Sequence, residues 1–272
     1  MGTKRKVFIF LVFGAAIVGL MAVGAVWDFE ISQGFADPGW GWARVMEVIA
    51  EPPTILLCSF MCAVICIRAV REKKILLAAF MAVAEAGTAI SVVVRTCAYV
   101  GYDYVGVIPV IVTAATAGVM FAVGYGVERR IDGEIVRTML SCVIASLVTL
   151  VVINLLKGLW GRVRYRDMMA AGSFDDFTAW YVVNGINGHK SFPSGHTSNV
   201  VLLFYLTYFA KYLRSSRKRT IVIVGCALTL WAAVTMVSRV AVGAHYLSDV
   251  TAGAAITAAI VCVTGKIRNE FD

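Results

Sequence analysis

Three short stretches of this 272-residue chain place polar and charged side chains where the surrounding residues are apolar, and such residues are expensive there unless they have partners. The first, Lys157-Gly-Leu-Trp-Gly-Arg162-Val-Arg164-Tyr165-Arg166, gathers cations at the end of an apolar run. Taken alone it reads either as a head-group anchor, its basic side chains snorkelling to an interface, or as an anion site. The second, Pro193-Ser194-Gly195-His196-Thr197, has residue types that open a helix. The first backbone N–H groups of a helix lack intrahelical partners and lie at the positive end of its dipole. That stretch is either a seat for an anion or a plain N-cap followed by a hydrogen-bonded histidine. The third begins at Ser238-Arg239 and sets His245 four residues before Asp249. In a helix starting near Ala244 the two share a face, so the carboxylate can accept from one ring nitrogen and leave the other free to attack. A His–Asp pair that only staples a helix end is the alternative.

The elements that must position these residues follow from composition. With 60% hydrophobic and 15% charged residues and a mean hydropathy of +0.80, the chain carries more apolar surface than a water-soluble domain can hide. An all-α, polytopic membrane bundle is expected. A span needs roughly 20 predominantly apolar residues, and about eight runs qualify by that measure: 7–26, 54–67, 75–94, 107–127, 138–156, 197–212, 220–237 and 247–264, the second being short. The net charge of +8 does not call for nucleic acid, because basic residues collect in cytoplasmic loops and meet anionic head groups. With the N-terminus in the cytoplasm, alternation puts most of the 25 Lys and Arg there: Lys4, Arg5, Lys6; Arg68, Arg71, Lys73, Lys74; Arg129, Arg130, Arg137; Lys211, Arg214, Arg217, Lys218, Arg219; Lys266 and Arg268. Both termini are then cytoplasmic, and the three polar stretches fall at the outer ends of the last four spans.

Other features carry less. The first apolar run follows Lys4-Arg5-Lys6 and includes small residues at 22–25. It is longer than a usual signal core, so an uncleaved first span is expected. Trp40, Trp42 and Arg44 mark either an interfacial helix or a structured outer loop. The seven cysteines show no paired framework or zinc spacing, so neither a disulfide nor a metal is expected. Cys58, Cys62 and Cys66 recur on one helix face and read as small packing residues. Glu85 lies inside the third span with no partner named by the sequence. His189, beside Lys190, reads as solvated loop or as a head-group contact. No soluble domain, linker or internal repeat is found.

Lys157-x6-Arg164, Pro193-Ser194-Gly195-His196 and Ser238-Arg239-x5-His245-x3-Asp249 resemble the three-part signature of the type 2 phosphatidic acid phosphatases, relatives of the vanadium haloperoxidases and glucose-6-phosphatase. The resemblance covers Lys157 to Asp249 directly. It implies a six-helix core over residues 75–272, with residues 1–74 as two added spans and an outer interfacial segment. It implies that His245 attacks phosphorus to form a phosphohistidine, oriented by Asp249, and that His196 protonates the leaving oxygen and then activates water. Lys157, Arg164, Ser194, the Gly195 N–H and Arg239 would hold the phosphoryl oxygens. No cofactor or metal is implied. One departure stands out: Arg164 is followed by Tyr165, where the family usually has proline. That leaves the pose of Arg164 open, with Arg162 as a substitute.

The expected function is hydrolysis of a lipid phosphate or diphosphate, such as a polyprenyl diphosphate, phosphatidic acid or phosphatidylglycerol phosphate, at the non-cytoplasmic face of a membrane, with a bacterial plasma membrane favoured. Phosphotransfer to an acceptor hydroxyl, action on a soluble sugar phosphate, and a catalytically silent lipid-binding scaffold are the alternatives. The spans exclude a soluble haloperoxidase.

Overall fold

In a bilayer each backbone N–H and C=O must find its partner within its own segment, so long apolar runs fold as helices. The computed structural model describes residues 3–212 and 217–270. Its helices are α1 (Thr3–Phe35), α2 (Gly41–Ile49), α3 (Pro52–Arg71), α4 (Ile75–Val100), α5 (Val107–Glu128), α6 (Gly133–Trp160), α7 (Tyr165–Ala171), α8 (Gly195–Leu202), α9 (Leu206–Phe209), α10 (Arg217–Ala241) and α11 (Leu247–Glu270). No strand occurs among the described residues. Seven helical stretches there are long and apolar enough to cross a membrane: Leu11–Phe35, Gly41–Arg71, Ile75–Val100, Val107–Glu128, Gly133–Ala171, Lys218–Ala241 and Leu247–Lys266. Leu11, Val18, Leu76, Val83, Val110 and Leu150 project outward along them, an arrangement hydrocarbon tolerates and water would not. The expected polytopic helical bundle is therefore observed. Arg214 lies outside the described residues, as do the side chains of Lys4, Arg5, Lys6, Lys211, Arg217 and Arg268.

Three elements differ from expectation in detail. The first helix continues to Phe35, past the expected end at residue 26. Nothing breaks it before Pro38, and Asp28 within it has buried partners described below. The short second run becomes α3, with prolines in its first turn, where a missing N–H costs nothing. The expected span at 197–212 is α8 and α9 with 3-10 turns at Leu203–Tyr205 and Ala210–Tyr212. There the Thr207 hydroxyl donates to the Phe204 carbonyl three residues back at 2.7 Å, and such back-bonding competes with regular helix.

The chain divides into two compact units. The second consists of Glu47–Val148, Asn199–Trp231 and Ala259–Asp272. Within it α3 packs against α4 and α5, around Met61, Val64, Ile65, Met81 and Cys142. Cys58, Cys62 and Cys66 are buried there as packing residues. Glu85 finds its partner in the Ser59 hydroxyl, which donates to Oε1 at 2.9 Å. Arg68 and Arg71 both pair with Glu128.

The first unit, Met1–Met46, Thr149–Ser198 and Ala232–Ala258, holds all three polar stretches. Residues 41–49 form a helix rather than a loop, with Trp42 and Val45 exposed and Ala43 and Met46 buried. Ala43 packs against Ala241, Val242 and Ala244, and the Asp37 N–H donates to the Ala241 carbonyl at 2.8 Å. The α1–α2 corner thus supports the turn that carries His245.

Candidate active site

His245 sits in the turn between α10 and α11. Its N–H and that of Ala244 both donate to the Arg239 carbonyl, at 3.2 and 3.1 Å. Gly243 makes the turn with φ +65°, a conformation that side chains resist. A Cβ there would also lie 3.2 Å from the Arg166 backbone nitrogen, which donates to the Gly243 carbonyl at 2.8 Å. The start of α7 is therefore docked on the histidine turn.

Asp249, in the first turn of α11, is the hub. Its Oδ2 accepts from the Ser191 hydroxyl at 2.5 Å and from the Tyr246 N–H at 3.0 Å. Its Oδ1 accepts from Arg162 Nη1 at 2.6 Å. Its backbone carbonyl accepts from the Ser194 N–H at 2.9 Å. The Nδ1 of His245 lies 3.6 Å from Asp249 Oδ2, close enough for an ion pair but longer than a formed hydrogen bond. The side chain of Asp249 is fully buried and that of His245 nearly so. Burial pushes the His245 pKa well below the ordinary histidine value; the nearby Asp249 carboxylate pulls it up, while Lys157 and Arg239 push it down. At neutral pH the imidazole is thus neutral, the form that can attack.

The Pro193 stretch comes in from the loop before α8. Phe192–Pro193 is a cis peptide. The Ser194 hydroxyl accepts from the Thr197 hydroxyl at 3.1 Å and from the Thr197 N–H at 3.4 Å, so it caps the helix start. Its geometry serves the cap. His196 is 4% exposed. α11 approaches this loop very closely at Gly253, where a Cβ would stand 2.5 Å from the Ser194 carbonyl and 3.1 Å from the Ser198 hydroxyl. Gly253→Ala is therefore expected to force the two segments apart, lowering stability by about 1–3 kcal/mol and weakening any activity of the site. Thermal unfolding and turnover would check it, and an unchanged pair of values would refute the close approach.

The first stretch divides its cations between different tasks. Lys157, in the last turn of α6, donates to the Lys190 carbonyl at 2.8 Å, and its Cε lies 3.6 Å from where a Cβ on Gly195 would be. It stands beside the Ser194–Gly195 backbone. Arg239 is buried at 2% exposure. Arg164 precedes α7 in extended backbone, φ −80° and ψ 147°, and its Nε is buried without an acceptor. Arg162, the alternative that Tyr165 left open, sits in a buried carboxylate network. Its guanidinium is bonded to Asp249, to Asp28 Oδ2 at 3.0 Å, to the Ser248 hydroxyl at 2.9 Å and to the Thr178 carbonyl at 2.9 Å. It lies over the Tyr246 ring, 4.0 Å from the centroid.

Tyr165 itself takes the first position of α7, the place where proline is favoured because no N–H is needed. Its ring stacks on Phe174 at 5.3 Å and meets Phe29 edge-on at 6.0 Å. The tyrosine thus supplies packing where proline would supply stiffness. His189 and Lys190 are exposed.

Sequence reasoning did not find Asp28, Ser191, Ser248 or Tyr246. A carboxylate inside an apolar helix was a usable signal for Asp28; the other three carry none.

Comparison with known proteins points to the same region. The profile of the PAP2 superfamily matches residues 135–271, which include all three polar stretches. The Lipid A 1-phosphatase of Rhizobium johnstonii is 35% identical over 105 residues, 39% of this chain and 37% of that protein. The Lipid A 1-phosphatase of Rhizobium etli is 37% identical over 102 residues, 38% of each chain. The match thus spans little more than a third of these relatives' length. No solved structure matches the chain. A family match that covers half of the sequence and takes in the cluster around Asp249 leaves one assignment: this integral membrane chain belongs to the PAP2 superfamily.

Proposed function

We propose that the protein is a membrane lipid phosphatase that works through a phosphohistidine on His245. The observation that carries this reading is the convergence on Asp249 of all three polar stretches: Arg162 on Oδ1, Ser194 on its carbonyl, and His245 beside Oδ2. In the first half-reaction the His245 nitrogen remote from Asp249 attacks phosphorus. The bond from phosphorus to the lipid oxygen breaks, and His196 gives that oxygen a proton. Asp249, remaining ionised, stabilises the positive charge that develops on the imidazole. In the second half-reaction His196 removes a proton from water, the water oxygen bonds to phosphorus, and the P–N bond breaks to restore His245. Lys157, Arg164, Arg239, the Ser194 hydroxyl and the Gly195 N–H meet the charge on the phosphoryl oxygens, cations and donors that serve where other phosphatases use metal ions.

The substrate is proposed to be a lipid because the site stands at the ends of apolar helices, level with head-group phosphates. The two relatives named lipid A 1-phosphatase add the 1-phosphate of lipid A to the polyprenyl diphosphate, phosphatidic acid and phosphatidylglycerol phosphate classes. By the distribution of basic residues the site faces away from the cytoplasm, in a bacterial membrane with cytoplasmic termini. Phosphate release by purified protein with EDTA, across those lipids and glucose 6-phosphate, tests the reading. EDTA-resistant release from a lipid is expected. Release only from the soluble sugar phosphate, or only on adding metal, would overturn it.

Burial that disfavours the charged His245 imidazole sets the expected sign of the acid limb. The neutral imidazole is needed, so kcat/KM should hold as pH falls through about 6.5, the ordinary histidine value, and decline only at lower pH. Stability should behave with the matching sign. Unfolded chain takes up a proton below about 6.5 while folded His245 does not, so burial of this group destabilises the fold progressively as pH falls. An acid limb at or above pH 6.5 would contradict the neutral buried imidazole.

A further inference from the structure

Arg162 lies between two carboxylates, Asp249 and Asp28, and all three side chains are fully buried. Asp28 comes from α1, which lies outside the 135–271 stretch matched to the family. Its described partners are all donors. Arg162 Nη2 and the Ser248 hydroxyl donate to Oδ2, and the Ser248 N–H donates to Oδ1 at 3.0 Å. Donors on both oxygens favour the ionised form of a carboxyl. The Ser248 N–H belongs to the first turn of α11, so Asp28 also meets the positive end of that helix. The place is built to fit: on the preceding turn of α1, a Cβ at Gly24 would stand 2.8 Å from the Ser248 Cβ.

The charge arithmetic gives this arrangement a function beyond packing. One guanidinium serves two carboxylates. If Arg162 faced Asp249 alone, the pair would be neutral and Asp249 would be a weak partner for His245. With Asp28 also on Arg162, the three groups carry one net negative charge, and it stands beside the imidazole. We propose that Asp28 is a positioning residue for the phosphatase reaction proposed above: by engaging Arg162 and capping α11, it holds Asp249 in place and leaves its charge available to His245. The other charged groups facing His245 are Lys157 of α6 and Arg239 of α10, both cations. The negative charge must therefore come through Asp249, with Asp28 behind it. Sequence position adds a consequence: α1 is part of the working site and not merely an added span.

The test uses full-length protein and Asp28→Asn, which keeps size and two of the acceptor contacts but removes the charge. Two readouts are needed. Nitrogen-15 NMR of labelled histidine reports the tautomer and titration of His245 without turnover, and three histidines make assignment by single substitutions direct. The pH profile of kcat/KM reports the same group during reaction. In Asp28→Asn, His245 is expected to titrate about one pH unit lower and to lose part of its Nδ1–H preference, because a nearby anion favours the charged imidazole. The acid limb of kcat/KM should shift downward with it, and kcat should fall about tenfold or more while KM changes little. The double variant Asp28→Asn, Arg162→Gln removes the unbalanced cation and should move the titration back toward wild type.

A folded Asp28→Asn variant whose His245 tautomer and titration match wild type would overturn the proposal, leaving Asp28 a structural staple. A double variant with His245 shifted further down would do the same, and it carries the test if the single variant does not fold. Because the NMR readout needs no substrate, a protein that releases no phosphate from any lipid defeats the phosphatase reading without deciding the Asp28 question.

Discussion

His245→Ala is expected to lower phosphate release by about four orders of magnitude or more, down to the level that binding and charge complementarity alone sustain. The size follows from what the substitution removes. The two-step route exists only if a nucleophile accepts the phosphoryl group, and His245 is the proposed acceptor, its ring beside Asp249 Oδ2. Stability should move little or rise slightly, since a desolvated imidazole, whose charged form burial disfavours, is replaced by an apolar group. Quenched-flow phosphate release gives the rate, and acid-labile phosphate on the protein after brief exposure to substrate gives the intermediate. Wild type should trap label and the variant should not. Turnover in His245→Ala within tenfold of wild type would remove His245 as nucleophile. His196→Ala would be a different case, trapping label but failing to release it when the leaving group needs little protonation.

Arg162→Ala should be the most destabilising single change in this region, costing about 3–5 kcal/mol. The cost is not chiefly that of the lost contacts. Two carboxylates fully out of water, Asp28 and Asp249, would face one another with no cation between them, and the stacked Tyr246 ring would lose its partner. Arg162→Lys should recover only part, because an ammonium cannot fork to both carboxylates and to Ser248 in one plane. Thermal unfolding in detergent measures both. Arg162→Ala within about 1 kcal/mol of wild type would mean that the buried network is not ionised as described. The matching change at Arg164 should behave oppositely, leaving stability nearly intact while raising KM, since Arg164 has no carboxylate to hold.

The contrast between these two arginines shows what a sequence can and cannot disclose. His245 and Asp249 were legible because four residues along one chain direction place side chains together; the histidine proved to sit just before the helix, yet the pair still met. Ser194 was legible as a cap because helix starts use a narrow set of residue types. Arg162 and Arg164 are two positions apart and chemically identical, so nothing local separates the buried one from the one at the mouth of α7. The bond from Arg162 to Asp28 joins residues 134 apart, and no spacing rule reaches that far. Spans were read well wherever hydropathy ran without interruption. They were read less well at 197–212, where hydroxyl groups bond back to the helix, and at the end of α1, where a paired aspartate lets the helix continue through a charge.

The bond from the Ser248 N–H to Asp28 joins residues 220 apart, and this sets an order for synthesis. α1 leaves the ribosome early, carrying a carboxylate whose partners have not been made. That carboxylate lacks these partners until the loop after α6 supplies Arg162 and α11 supplies Ser248. Arrival of the last helix therefore relieves the first and builds the pocket in one event. A chain still being threaded into the membrane has neither Asp249 nor the turn that holds His245, and its candidate site is incomplete until α11 arrives.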